Sequence, residues 1–122
     1  MQYMLLIYID PTAEMPPAPD GPDQFTDWVE CSKAMHDAGA LVSGDGLAGV
    51  EAATSVRRRG GRRLVTDGPF AETKEHLLGF YVIDVDGLDT ALDWAARLPN
   101  AHYGTVEVRP VGMPSASAEG VA

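Results

Sequence analysis

These 122 residues predict a single α+β domain in which strand and helix alternate in the order β-α-β-hairpin-β-α-β. Apolar alternation marks the strands, 3.6-residue periodicity marks two helices, and a Gly60-Gly61 pair sits between two short strand-like runs. A chain of this length makes one domain with a modest core.

The first strand is read at residues 2–9, QYMLLIYI. Tyr3, Leu5, Ile7 and Ile9 share one face and Met4, Leu6 and Tyr8 the other, so both faces are apolar. Such a strand is covered on both sides. Residues 10–23 carry five prolines and a glycine and are read as a long loop. A helix follows at 24–38, stopped by Gly39, with Phe25, Trp28, Val29, Ser32, Met35 and His36 on one broad face. On that reading Ser32 and His36 point toward the sheet.

A short strand is expected at 40–44 and a hairpin at 53–66. Glycines at 60 and 61 supply positive φ at both central turn positions, which sets Val56 opposite Val65 and Arg58 opposite Arg63. Residues 67–76 read as a loop containing one helical turn from Pro69. The clearest strand is 77–85, LLGFYVIDV, with Leu77, Tyr81, Ile83 and Val85 facing one way and Leu78, Phe80 and Val82 the other. The second helix is read at 88–97, capped near Asp86 or Gly87, with Leu88, Ala91, Leu92 and Ala95 inward and Pro99 beyond its end. Residues 104–109 form a last strand, and the segment from Gly112 reads as a flexible tail.

That order is ferredoxin-like, βαββαβ with an inserted hairpin. Two helices cover one face of such a sheet, yet two of its strands are apolar on both faces. A symmetric homodimer supplies the missing cover, unless the 10–23 loop folds over that face. Burying even ~500 Å² of apolar surface per chain contributes roughly 12 kcal/mol before association costs.

A net charge of −9 argues against nucleic acid and anionic membrane as partners. No apolar run approaches the length that crosses a bilayer, and no charged segment precedes the first strand. Cys31 is the sole cysteine and forms no internal disulfide. These features lead to the expectation of a cytoplasmic protein.

Residues 64–75, LVTDGPFAETKE, resemble the DGPF subgroup of the YCII-related proteins. The start MQYMLLIY, the Gly79-Phe80-Tyr81 run, LDTALDWAARLP and TVEVRPV resemble it too, so the likeness extends over a domain at 1–111. It implies a ferredoxin-like dimeric α+β barrel with a pocket between helices and sheet. It also implies a small-molecule-binding protein whose wider family resembles small enzymes, one of them removing chloride from a hydroxylated aromatic ring; the activity expected here is cofactor-free acid–base chemistry on a small polar or aromatic metabolite. For the DGPF subgroup it implies an association with extracytoplasmic-function sigma factors, which makes a non-catalytic ligand-sensing module the alternative. The family's acid–base pair includes a His early in the first helix. Here that stretch reads Gln24, Phe25, Thr26, Asp27, so the pair is not carried over.

Asp67 opens the DGPF run where a strand meets a loop, with Gly68 to turn the backbone and Pro69 to stiffen the exit. It is the candidate general base; the alternative is a turn aspartate bonding backbone N–H groups. Glu72 and His36 are the candidate proton partners, and Lys74, Arg109 and Ser32 the candidate substrate-binding groups. For Glu72, Lys74 and Glu75 the alternative is a solvated charge run; for His36 it is a core histidine. His76 and His102 read as surface. No pair of His or Cys has zinc spacing, and no cofactor is expected, although His36, Asp67 and Glu107 would need only to meet in space. Five arginines crowd residues 57–63, and removing them from a net of −9 leaves −14 on the rest. They read as a solubilising hairpin tip or a phosphate contact.

Overall fold

A computed structural model describes residues 1–13 and 24–112, the side chains of residues 24–26 excepted. Most of the proline-rich loop and the expected tail beyond Gly112 therefore lie outside the described residues.

Strand β1 (Gln2–Ile9) is the centre of the molecule, and helix α1 (Gln24–Asp37) leads from the loop to β2 (Leu41–Gly46). The hairpin strands β3 (Thr54–Arg59) and β4 (Arg62–Asp67) follow, then β5 (His76–Asp84), α2 (Leu88–Arg97) and β6 (Gly104–Pro110). Four strands form one antiparallel sheet in the order β2-β5-β1-β6, and β3 and β4 form a separate two-stranded sheet. Each helix thus joins two strands that lie one strand apart, an α+β arrangement consistent with a ferredoxin-like fold.

Both helices pack on the same face. Tyr3, Leu5 and Ile7 of β1 and Ile83 of β5 are buried against Cys31 and Met35 of α1 and Ala91 and Ala95 of α2, with Leu98 closing the layer. Leu5, Met35, Ile83 and Leu98 are fully enclosed, each worth roughly 1.5–3 kcal/mol of burial. The helices can approach closely because α2 presents alanines inward. Its Leu88 and Leu92, expected in the core, are about half exposed instead. Ala91, Trp94, Ala95 and Leu98 take that position.

Helix α1 is turned relative to expectation as well. Two stripes have helical spacing on it, and the core selects Trp28, Cys31, Ser32 and Met35 over the one ending at His36. His36 is therefore solvent-facing, 79% exposed at its side chain and 3.5 Å from Asp37. The inward orientation read from periodicity is thus corrected: apolar Cys31 is buried and the polar imidazole stays in water.

Two bulges set the remaining faces. The β1–β5 register shifts after Ile7, so that Tyr8 pairs with Leu77 and Leu78 is the extra residue. Leu77 consequently joins the outer face and Leu78 the helix-covered one, the reverse of simple alternation. In β2 the extra residue is Val42, which leaves Gly44 opposite Tyr81 on the covered face. The helical turn expected at Pro69 is absent; a 3-10 turn forms at Val50–Ala52 instead. A second, Pro99–His102, carries the fully buried Asn100, whose Nδ2 donates to the Tyr8 and Thr105 carbonyls and ties the ends of β1 and β6.

The hairpin matches its expected register, with Val56 opposite Val65 and Arg58 opposite Arg63. Gly60 and Gly61 have φ of 56° and 76°, the conformation a tight two-residue turn demands.

Candidate functional site

A cleft of about 620 Å³ opens between α1 and the covered face of the sheet. Ile7 and Ile9, Leu41, and Leu78 form its apolar walls. Trp28 and Tyr81 stack across it with ring centroids 6.5 Å apart. Gly44 makes room for Tyr81: a Cβ there would lie 2.6 Å from the ring. Ser32 Oγ and Tyr81 Oη are 2.6 Å apart, a hydrogen bond in which either hydroxyl can donate. Once one donates to the other, the donating oxygen keeps lone pairs and the accepting one keeps its proton for a ligand. Among the described residues Asp45 is the one carboxylate along the walls, and no Lys, Arg or His contributes.

Tyr103 partners Trp28 from the side of the second 3-10 turn; burial holds its phenol above the ordinary value, against the pull of that hydrogen bond. Burial likewise raises the Cys31 thiol, opposed by the Arg97 charge, so Cys31 is a packing group and not a ready nucleophile.

A second, wider cleft of about 820 Å³ lies on the opposite side, where the base of the hairpin meets Tyr8 and Leu77 of the outer face. Pro69, Phe70, Glu72, Thr73 and His76 line it, with Phe70 79% exposed. His76, read as plain surface, is half-buried here. Beside it lies a shallower hollow formed by Tyr8, Thr73, Glu75, Thr105 and Glu107. Tyr8 donates to Glu107 at 3.3 Å, and Thr105 donates to both Glu75 oxygens at 2.9 and 3.1 Å. The Tyr8 phenol is raised first by burial and then by the Glu107 charge, while Arg109 opposes the shift.

The candidate residues do not converge. Ser32 alone lines the helix–sheet cleft. Asp67 ends β4 with its side chain exposed, while Gly68, at φ 100°, donates to the Ala53 carbonyl and accepts from Ser55 Oγ to close the hairpin base. Glu72 lines the wider cleft. Lys74 turns away from its neighbouring glutamates and sits 3.6 Å from Asp10, whose carboxyl is held below the ordinary value by Thr12 first and by Lys74 second. Arg109 lies on the outer face opposite Met4, next but one to Glu107. His36 stands in solvent. Among the described residues no group of three or more His, Cys, Asp or Glu gathers to hold a metal, so His36, Asp67 and Glu107 do not meet. No helix among those residues is long and apolar enough to cross a membrane.

Sequence reading missed the Ser32–Tyr81 pair and the buried Asn100. The first joins a helix and a strand 49 positions apart, a meeting that no local pattern announces. The second had a weak signal in Pro99-Asn100, a polar residue locked into a turn after a helix.

Comparison with known proteins adds the lineage. The uncharacterized protein R00369 of Rhizobium meliloti (strain 1021) is 49% identical over 79 residues, which is 63% of this chain. The matched stretch spans 64% of the relative's length. The profile of the YCII-related domain matches residues 1–113, and the chain accordingly belongs to the YCII-related domain family.

Proposed function

We propose that this protein is a small-molecule-binding protein whose site is the helix–sheet cleft and whose ligand is a compact, uncharged, aromatic or apolar molecule bearing a hydrogen-bonding group. The Ser32–Tyr81 hydroxyl pair at 2.6 Å, beside Trp28 in a largely apolar cleft of about 620 Å³ with Asp45 at its wall, carries this reading. Apolar walls with few convergent polar groups are the usual form of such sites. With no basic side chain along the walls among the described residues, an anionic ligand would be desolvated without compensation.

The working form is a homodimer in the style of a dimeric α+β barrel. Met4, Leu6, Leu77, Phe80 and Val82 line the outer face of the sheet, and a second copy shields them. The DGPFAETKE run supports reading the chain as a DGPF-type member of the family. Ligand sensing is favoured over turnover by one observation: Asp67, His36 and Glu72, the acid–base candidates, lie off the cleft. In that role the loaded dimer is the form presented to a regulatory partner such as a sigma factor, in a cytoplasmic setting.

A panel of neutral phenols and aromatic carboxylates, titrated by calorimetry, tests the site. Neutral members bind, and Ser32→Ala or Tyr81→Phe each weakens them roughly 5- to 10-fold, as the loss of about one net hydrogen bond predicts. Preference for the carboxylates, or indifference to both substitutions, rejects the reading.

A further inference from the structure

The hairpin is built in a way one protomer does not explain. Strands β3 and β4 pack on each other and on no other helix or strand to a comparable extent. Every residue in them is exposed except half-buried Ser55. A lone two-stranded ribbon is marginal in water. This one also sets Arg58 against Arg63 and Arg59 against Arg62, like-charge pairs that weaken it further.

Its two faces differ. One bears Ser55, Arg57 and Leu64, and it is fastened to its own chain: Ser55 Oγ donates to the Gly68 carbonyl at 2.7 Å and Arg57 to the Phe70 carbonyl at 3.3 Å. The other face bears Val56 and Val65, 63% and 53% exposed, with Arg58 and Arg63 beyond them toward the tip. Among the described residues neither guanidinium of that second pair makes a hydrogen bond or ion pair; the one side chain that reaches them, Arg59, donates to the Arg58 backbone carbonyl. The converse holds on the body. Glu72, Glu75 and Glu107 line the wider cleft and its adjoining hollow beside the apolar outer face, and none has a cationic partner within 4.0 Å among the described residues.

We infer that the hairpin is an exchanged arm: each protomer of the dimer lays its Val56/Val65–Arg58/Arg63 face on the partner copy, valines against the apolar outer face and arginines against the Glu75 and Glu107 carboxylates. The hairpin base, at Ala53 and Pro69, borders the same wide cleft as Tyr8 and Leu77, so the arm starts on the side where the second copy docks. With six residues per strand it reaches roughly 17–20 Å. The hollow at Tyr8 is then completed by cations from the other chain, and a single protomer holds only half of it. Charge complementarity selects this occupant. The chain carries −14 outside the arginine cluster, and an acidic protein repels the polyanions that five arginines would otherwise attract. The inference rests on self-association through the outer face, not on the ligand proposed for the helix–sheet cleft.

A charge swap tests it. Chains carrying Arg58→Glu with Arg63→Glu, and chains carrying Glu75→Lys with Glu107→Lys, are each studied alone and mixed, by sedimentation and native mass spectrometry. Circular dichroism checks that both fold. Each variant alone self-associates roughly tenfold or more weakly than the parent, because both of its arm contacts become like-charged. Mixed in equal amounts, the two give predominantly heterodimer, in which both contacts are again opposite in charge. Parent-like association of both variants, or no heterodimer preference, overturns the exchanged arm while leaving a dimer through the outer face intact. A monomeric parent overturns the dimer as well. Arginine-dependent binding of RNA at physiological salt, with association unaffected, would assign the arm to a polyanion instead.

Discussion

Both faces of the four-stranded sheet are apolar along β1, and among the described residues only one of them is covered by helices. On the covered side Leu5 pairs with Tyr81 and Val108 beneath two helices and has no exposed surface. On the other side Leu6 pairs with Phe80 and Glu107 and remains half-buried, sheltered by its neighbours alone. The difference is one of supply. Both crossover helices leave and re-enter the sheet on the same side, so neither helix can cover the second face. A continuous hydrophobic strand therefore reports how many layers an assembly has, not how many one protomer owns.

Adjacent residues on β1 give the sharpest contrast. Leu5→Ala should destabilise the protein by about 2–5 kcal/mol, a loss independent of protein concentration, because the cavity opens inside a filled core. Leu6→Ala should leave the dilute protein nearly unchanged and remove the concentration dependence of its melting temperature. Equal effects of the two at micromolar concentration, followed by calorimetry over a dilution series, would mean that the outer face is finished within the chain.

Gly44→Ala strikes the covered face at its open end. A methyl group 2.6 Å from the Tyr81 ring and 2.9 Å from the Phe80 carbonyl forces the ring aside. Strain of roughly 1–3 kcal/mol is expected in denaturant unfolding, and with the ring goes the Ser32 hydrogen bond. Affinity of the cleft for neutral aromatic ligands should fall in parallel. A variant that keeps parent stability would show that the cleft is more yielding than the rest of that face.

The smallest effect belongs to the outer face. Glu107→Gln removes the second cause of the raised Tyr8 phenol and keeps the first, burial, so the titration should move down toward the ordinary value of 10.0 without reaching it. A raised phenol contributes stability below the unfolded value that is lost as pH rises through the folded one. The variant should accordingly lose less stability on the alkaline side than the parent. Ultraviolet titration of the phenolate, with Tyr8→Phe to assign the signal, reads the shift directly; an unmoved curve would separate Tyr8 from Glu107.

Local patterns in the sequence set out the elements well. The α2 boundaries, the Gly60-Gly61 turn and the hairpin register each follow from short-range rules about caps, positive φ and period-two alternation. The bare periodicity of α1, by contrast, admitted two stripes. Only packing against Leu5 and Ile83 chose the one with Cys31 and left His36 in water. Likewise, the bulges at Val42 and Leu78 exchange faces downstream of themselves, and nothing in the neighbouring residues announces them.

What the amino-acid order settled is thus the number, kind and sequence of elements, together with an excess of apolar surface over the helices available to cover it, because these depend on residues a few positions apart. Tertiary structure decided which side chains face the cleft, that Ser32 meets Tyr81 across 49 positions of chain, and that the acid–base candidates stay apart. Those outcomes hinge on register and helix rotation, which are chosen by the fit of distant surfaces and shift by a whole face for a single extra residue.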